Sequence, residues 1–313
     1  MPGERQGVRY KKRKKVKGHS SRKIVSVLVA IVIVVMCFAI AVAVGIALGK
    51  KADQNIGKNK YDLNFEPYQS GDKAVKAVDA LYYTLGTSAS EYIENGEGHL
   101  SFCLRNQLGE ISFISSTAAE AGIAQNESSI SLADEMTYLH GLGGYACAYI
   151  YSTAFDCEDQ YLREIYKAYE IALIREAARC GVDDIMIIGL EIDADNIAEV
   201  EKYVSDASIA AGKAPLGVLV SREFVLMANG GSYFASRIFE VCDYLALDLR
   251  HLDADKTLRP LDHDGNNGVD AIIDELEYYI EAYRMRMVFS RENVRVCDSF
   301  RDRGVRNTQI IAE

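Results

Sequence analysis

The chain has 313 residues, of which 49% are apolar, and a formal net charge of -10. This apolar content can fill a sizeable core and excludes a disordered protein. The charge is uneven, because residues 1–51 contain 12 Lys or Arg and a single acid, which leaves -21 for the remainder. An acidic remainder without a basic aromatic stripe argues against nucleic acid as a partner.

The first predicted element is a membrane span. Residues 24–49, IVSVLVAIVIVVMCFAIAVAVGIALG, contain no charged residue, and a helix rising about 1.5 Å per residue over this length exceeds the roughly 30 Å hydrocarbon core of a bilayer. The run is too long for the apolar part of a secretory signal peptide, and no convincing cleavage site follows it, so a retained signal anchor is favoured. The bilayer lipid is therefore a predicted partner of residues 24–49.

The orientation follows from the basic residues. Ten Lys or Arg lie in residues 1–23, and only Lys50 and Lys51 closely follow the span. The positive-inside rule places residues 1–23 in the cytoplasm and the acidic part of the chain outside. We expect a single-pass protein of the cell membrane with residues 50–72 as a polar linker and an extracytoplasmic domain over residues 73–313.

Apolar strands and amphipathic helices alternate through this domain. The predicted strands are Val75–Tyr83, His99–Arg105, Tyr145–Tyr151, Asp184–Glu191, Pro215–Val220, Asp243–Leu249, Met285–Phe289 and Thr308–Ala312. Helical periodicity occurs in SLADEMTYLHGLG, YLREIYKAYEIALIREAARCG, NIAEVEKYVSDASIAAGK, GSYFASRIFEVC and GVDAIIDELEYYIEAYR. Strand, helix and strand at this spacing require parallel crossovers, so the pattern predicts an α/β fold, a (β/α)8 TIM-like barrel with no helix after its last strand. A doubly wound open sheet is the alternative, although no GxGxxG motif follows a strand.

The period of two along each strand predicts which side chains face the barrel interior. In DYLALDLR, the leucines at 245, 247 and 249 would face the helices, and Asp248 and Arg250 would face inward. The same alternation in HLSFCLR points Arg105 inward. If the face of Ile185 and Ile187 is internal, Glu191 also points into the mouth of the barrel.

Three segments from about Leu100 to Arg250 resemble a bacterial family of glycoside hydrolase-like TIM-barrel domains that are often held at the cell surface. The segments are SFCLRNQLGEISF, MTYLHGLGGYACAYIYSTAF and IREAARCGVDDIMIIGLEID. The resemblance implies the barrel fold and a setting related to glycans. The carboxylates depart from the family pattern, since Cys103 and Ile188 stand where the family has Asp, and Glu191 stands where it has Arg.

Glycoside hydrolysis usually requires two carboxyl groups about 5 to 10 Å apart. Many retaining barrel glycosidases place the acid after the fourth strand and the nucleophile after the seventh, so Glu191 and Glu292 are the predicted catalytic pair. Glu223 and Asp248 are further acids at the ends of strands. The alternatives for Glu191 are a structural ion pair with Arg105 or Arg250, or ligand binding without turnover.

Other residues suit ligand binding. Charged donors and acceptors bind sugar hydroxyls strongly, and aromatic rings pack on sugar faces; on these grounds the predicted ligand-binding residues are Arg105, Tyr149, Tyr151, Asp248 and Arg250. No CxxC pair or His-rich spacing predicts a metal site, and DHDGNNGVD departs from the calcium-loop pattern at its glycine and its twelfth position. No cofactor is expected. The six cysteines after the span lie singly in apolar runs, which favours buried thiols over disulfides.

Three functions are consistent with these features. The first is a membrane-anchored relative of glycoside hydrolases, catalytically inactive or processing its ligand, that binds envelope polysaccharide or peptidoglycan. The second is an active retaining glycosidase that uses Glu191 and Glu292. The third is an envelope scaffold without enzymatic activity.

Overall fold

The computed structural model describes residues 68–71, 73–93, 98–123, 130–227, 231–261 and 267–312. The predicted basic segment, the predicted span and all of the linker before Tyr68 lie outside these residues. Among the helices that are described, none combines the length and hydropathy that crossing a membrane requires.

Eight parallel strands form a closed barrel, which confirms the predicted fold. A short hairpin, β1 (Tyr68–Ser70) and β2 (Lys73–Val75), precedes it. The barrel strands are β3 (Asp79–Tyr82), β4 (Gly98–Arg105), β5 (Gly144–Tyr151), β6 (Asp184–Ile188), β7 (Leu216–Ser221), β8 (Tyr244–Asp248), β9 (Arg286–Ser290) and β10 (Thr308–Ile311). Strand β10 pairs with both β9 and β3, so the ring is closed and the open-sheet alternative is wrong.

Helices surround the strands. They are α1 (Ser116–Glu120), α2 (Leu132–Gly141), α3 (Gln160–Arg179), α4 (Ile197–Ala211), α5 (Arg222–Leu226), α6 (Gly231–Phe239), α7 (Ala254–Thr257), α8 (Gly268–Tyr283) and α9 (Val294–Asp302). All five helices predicted from periodicity are present. Of the four that the sequence did not predict, α1, α5 and α7 have only four or five residues, too few for a clear 3.6-residue period. The fourth is α9, with nine residues.

The first predicted strand is divided in the structure. Residues 73–75 pair antiparallel with Tyr68–Ser70, and the barrel strand begins only at Asp79. The hairpin covers the amino-terminal ends of the barrel strands. There the Tyr68 hydroxyl donates to the Asp243 carbonyl, and Lys73 Nζ lies 2.9 Å from the Asp243 carboxylate, just before β8 begins.

The two faces of the strands separate as the alternation predicts. Leu245, Leu247 and Leu249 pack in the cluster between strands and helices. Tyr244 and Ala246 lie in the barrel interior. Other interior side chains are Tyr149, Met186, Ile188, Leu219, Val288 and Ile311.

Gly217 shows how tightly the interior is filled. A Cβ atom at this position would lie 2.1 Å from the ring of Tyr244 on the neighbouring strand. No real Cβ contact is that short, so only glycine lets the tyrosine ring cross the barrel here. Close packing of this kind fills the amino-terminal end of the barrel with side chains, so that this end is a packed core and not a channel.

Candidate binding site at the carboxyl ends of the strands

A cavity of about 320 Å³ opens at the carboxyl-terminal end of the barrel. Its lining residues come from the ends of β3, β4, β5 and β10 and from the loop after β4. They are Tyr82, Cys103, Asn106, Gln107, Leu108, Tyr149, Tyr151 and Ala312. TIM barrels keep their ligand sites at this end, so we refer to this set as the tyrosine cavity.

The tyrosine rings form the walls of the cavity. Tyr149 and Tyr151 project inward two residues apart on β5, with ring centroids 6.4 Å apart and planes at 74°. The Tyr149 hydroxyl accepts a hydrogen bond of 3.0 Å from the backbone N–H of Ala312. Burial raises the pKa of both phenols, and it raises the pKa of the Cys103 thiol to about 12. These groups therefore stay protonated at neutral pH and offer neutral hydrogen bonds and ring faces.

The loop after β4 supplies amide groups and an apolar tip. The Asn106 side chain accepts hydrogen bonds of 3.0 Å from the backbone N–H groups of Leu108 and Glu110, and its amide donates to the Glu110 carboxylate at 2.8 Å. Gly109 has φ 83°, the left-handed conformation that this tight turn needs. The turn holds Leu108, which is 78% exposed, at the edge of the cavity.

Asp248 and Arg250 form an ion pair beside Tyr151. Arg250 binds both carboxylate oxygens, through Nε at 2.9 Å and Nη2 at 2.7 Å. Its Nη1 donates to the Tyr151 hydroxyl at 2.6 Å. Asp248 and Arg250 thus meet Tyr151 on the interior side of the strands, as the alternation in β8 predicts, but neither lines the tyrosine cavity. The bidentate pair fixes the position of the guanidinium, which in turn holds the Tyr151 hydroxyl.

Arg105 does not reach the barrel interior, so its predicted inward placement is wrong. The register of β4 against β5 shifts between Cys103 and Arg105, which places Arg105 opposite Ile150 on the helix-facing side. There its Nη1 lies 3.1 Å from the Glu170 carboxylate of α3, and its Nη2 donates to Thr153 Oγ1 at 2.7 Å. A bulge adds one residue and reverses the side to which later residues point.

The two predicted catalytic acids lie outside the tyrosine cavity. Glu191 comes three residues after β6 ends, is exposed, and follows a strand whose Ile185 and Ile187 face the helices. Glu292 is exposed in the short 3-10 turn of residues 291–293. Neither is among the residues that line the cavity. Arg105 and Arg250 make their ion pairs with Glu170 and Asp248, so the predicted pairing of Glu191 with either arginine is not observed.

Sequence reasoning missed several cavity residues. Tyr82, Asn106, Gln107 and Leu108 were not predicted as ligand-binding. Tyr82 ends a strand whose bounds were wrong, and the other three belong to a turn. The NQLG sequence directly after a strand was the available signal, since loops at this end of a barrel carry its function.

The described residues give no sign of a metal site or a disulfide. Within them, no three His, Cys, Asp or Glu side chains are grouped as a metal ion requires. The six cysteines from Cys103 to Cys297 are free thiols, and three of them are buried: Cys147, Cys242 and Cys297.

The sequence matches no protein-family model and no curated protein. Solved structures with a similar fold include the spore cortex-lytic enzyme SleL of Bacillus cereus, with 10% identity, a TM-score of 0.43, and coverage of 68% of this chain and 50% of that one. A chitinase of Chromobacterium violaceum has 14% identity and a TM-score of 0.41, covering 68% of each chain. A sugar phosphate isomerase/epimerase of Parabacteroides distasonis has 12% identity and a TM-score of 0.41, covering 78% of this chain and 88% of that one. The match spans half the length of SleL.

Proposed function

We propose that this barrel binds a saccharide of the cell envelope in the tyrosine cavity and does not hydrolyse it. The observation that carries the proposal is the set of three tyrosine rings and two side-chain amides around one cavity. Sugar rings present apolar C–H faces that pack on aromatic rings, and their hydroxyls take hydrogen bonds from amides and phenols. A volume of about 320 Å³ lies at the small end of ligand pockets, which suits one or two sugar residues.

The arrangement of carboxylates favours binding over hydrolysis. Hydrolysis needs one carboxyl group kept protonated and a second one ionised across the glycosidic bond. Among the described residues, two acids lie beside residues that line the cavity: Asp248, whose two oxygens both bind Arg250, and Glu110, whose carboxylate accepts a hydrogen bond from the Asn106 amide. Neither carboxylate lines the cavity, and each already accepts hydrogen bonds from a neighbouring side chain.

Replacing Tyr151 tests this proposal. In the full-length chain, Tyr151→Ala removes the ring and should weaken binding of envelope oligosaccharides at least tenfold, whereas Tyr151→Phe keeps the ring and should weaken it about threefold. Calorimetric titration of peptidoglycan fragments and neutral oligosaccharides measures both. Tyr161→Ala, at a tyrosine that is 74% exposed on α3, is the matched control and should bind as the parent does.

Three outcomes would contradict the proposal. Unchanged affinity in Tyr151→Ala would remove the tyrosine cavity as the site. Release of new reducing ends by the parent chain, abolished in Glu191→Gln or Glu292→Gln, would establish the glycosidase instead. Absence of both binding and cleavage would favour the scaffold.

The location of the barrel is part of the same proposal. The uncharged run of residues 24–49 and the basic residues before it support a single-pass anchor with the barrel outside. A membrane-impermeant maleimide should label Tyr278→Cys, at an exposed position of α8, in intact cells. It should label Gly7→Cys only after permeabilisation, and the parent chain gives the background from native thiols. The reverse pattern would overturn the orientation.

A further inference from the structure

A second cavity, of about 310 Å³, lies between the loops that follow β6 and β7. We call it the Glu191 groove. It is lined by Leu190, Glu191, Ile192, Val220, Ser221, Glu223, Phe224 and Met227. It shares no lining residue with the tyrosine cavity, so an occupant here would be independent of the proposed saccharide.

The walls of the groove are apolar and partly open to solvent. Leu190 and Ile192 are half-buried against the core, and Met227 is 47% exposed. Phe224 is the only ring among the lining residues and is only 7% exposed. The accessible wall is therefore mostly aliphatic. Such a wall suits a chain of methylene groups better than a planar group that stacks on an aromatic face.

The groove holds two carboxylates, those of Glu191 and Glu223. Glu191 follows β6, and Glu223 lies in the first turn of α5. Neither carboxylate forms an ion pair with a Lys, Arg or His of the described residues, whereas Arg222, next to Glu223, pairs with Glu275. Residues 52–313 also carry a net charge of -21. The groove thus combines an aliphatic wall with uncompensated negative charge.

We infer that the Glu191 groove binds a lysine side chain presented by a peptide. The methylene stem packs on Leu190, Ile192 and Met227, and the ammonium group lies at the two carboxylates. Lysine fits better than arginine, because a compact ammonium can share its three donors between separate carboxylates, while a guanidinium gains most from a single coplanar carboxylate and an aromatic face. Glu191, which the sequence pattern assigned to catalysis, is then a binding residue.

The methyl group of Met227 provides a local probe. The chain has seven methionines, and of those that the structure describes only Met227 is exposed. The full-length chain with ¹³C-methyl methionine is titrated with the peptide Gly-Lys-Gly, blocked at both ends, and with its norleucine counterpart, which has the stem but no ammonium. Met227→Ile identifies the resonance. Titration of the lysine peptide should shift the Met227 methyl signal and leave the buried methyls of Met186 and Met285 in place.

The carboxylates are tested one at a time and together. Glu191→Gln and Glu223→Gln should each weaken binding of the lysine peptide about threefold, and the double variant about tenfold, as expected for partly exposed charges. Glu277→Gln removes an exposed carboxylate of α8 outside the groove and should leave the affinity unchanged.

Three results would overturn the inference: no shift of the Met227 methyl with the lysine peptide, an equal shift with the norleucine peptide, or an equal loss of affinity in Glu277→Gln. Saccharide binding is measured separately through Tyr151, so failure of one proposal is distinguishable from failure of the other.

Discussion

Asp184→Asn is expected to lower the free energy of unfolding by about 3–5 kcal/mol, because it leaves a buried guanidinium without its counter-ion. Asp184 and Arg286 face each other inside the amino-terminal end of the barrel, and their side chains are about 1% exposed. Nη1 and Nη2 of Arg286 lie 3.1 and 2.9 Å from the two carboxylate oxygens. Asparagine keeps the size of the side chain but has no charge and turns an amide N–H group toward the arginine.

Neighbouring groups also donate hydrogen bonds to the Asp184 carboxylate. The Tyr244 hydroxyl donates to Asp184 Oδ1 at 3.3 Å, and the Cys147 thiol donates to Oδ2 at 3.7 Å. Burial raises the pKa of both groups well above their usual values, so both remain donors. Arg286 Nη1 also donates to Gln309 at 3.0 Å. An asparagine could accept from only some of these donors. The loss in free energy of unfolding should therefore approach that expected for removing a buried charge.

Urea unfolding, followed by circular dichroism, measures the effect. Asp183→Asn is the matched control, since the adjacent carboxylate is 27% exposed and pairs with His140 at 2.9 Å; it should cost no more than about 1 kcal/mol. The double variant Asp184→Leu with Arg286→Met should recover part of the loss, because removing both charges is less costly than stranding one. A loss below about 1 kcal/mol in Asp184→Asn would show that Arg286 does not depend on this partner.

The barrel was predictable because its signals are local. The alternation in DYLALDLR fixes Tyr244 inside and Leu245 outside without knowledge of any other strand. The helices between strands follow from apolar residues three and four positions apart. The same alternation places Arg286 inside the barrel, but its partner Asp184 is 102 residues away in the chain, and no local pattern identifies it.

The site was less predictable because it depends on departures from regularity. One extra residue after Cys103 moves Arg105 from the barrel interior to the helix layer. The end of β6 at Ile188 places Glu191 in a loop, where strand alternation no longer applies. Glu170 lies in a helix that periodicity predicts well, yet its burial arises only when α3 packs against the end of β5 and α4. Tertiary packing decides each of these positions.

Glu170→Gln is the second change with a large expected effect, a loss of about 2–4 kcal/mol in the free energy of unfolding together with weaker ligand binding. Glu170 is fully buried, and each of its oxygens accepts two hydrogen bonds. Oε1 accepts from Arg105 Nη1 at 3.1 Å and from the Thr153 backbone N–H at 2.9 Å. Oε2 accepts from Ser152 Oγ at 2.7 Å and from the Tyr203 hydroxyl at 2.8 Å.

The effect on binding follows from the position of these donors. Ser152 and Thr153 directly follow Tyr151, and Arg105 also donates to the Tyr151 carbonyl. Glu170 therefore holds the carboxyl end of β5, from which a cavity ring projects. Glutamine offers one acceptor oxygen in place of two and turns an amide N–H group toward groups that themselves donate. The segment should loosen, and affinity for saccharide should fall even where the barrel remains folded.

The pH dependence of the stability of the parent chain tests the role of Glu170 independently. Burial raises the pKa of Glu170 above its usual value, although its four hydrogen-bond donors act in the opposite direction. A carboxyl group with a raised pKa in the folded state binds protons more readily folded than unfolded. Its contribution to stability is complete below the unfolded pKa and is lost as pH rises through the folded pKa. Stability of the parent relative to Glu170→Gln should therefore fall with rising pH across the mildly acidic range.

A double-mutant cycle distinguishes the ion pair from general packing. If Arg105 and Glu170 act as a pair, Arg105→Met with Glu170→Gln should be less destabilising than the two single changes added together, by about 1–3 kcal/mol. Glu176→Gln, six residues along the same helix, is the matched control. Its carboxylate is only partly buried and binds the Ser116 N–H at 2.7 Å, so it should leave saccharide affinity unchanged. Additive losses in the cycle, or an equal loss of affinity in the control, would contradict the role assigned to Glu170.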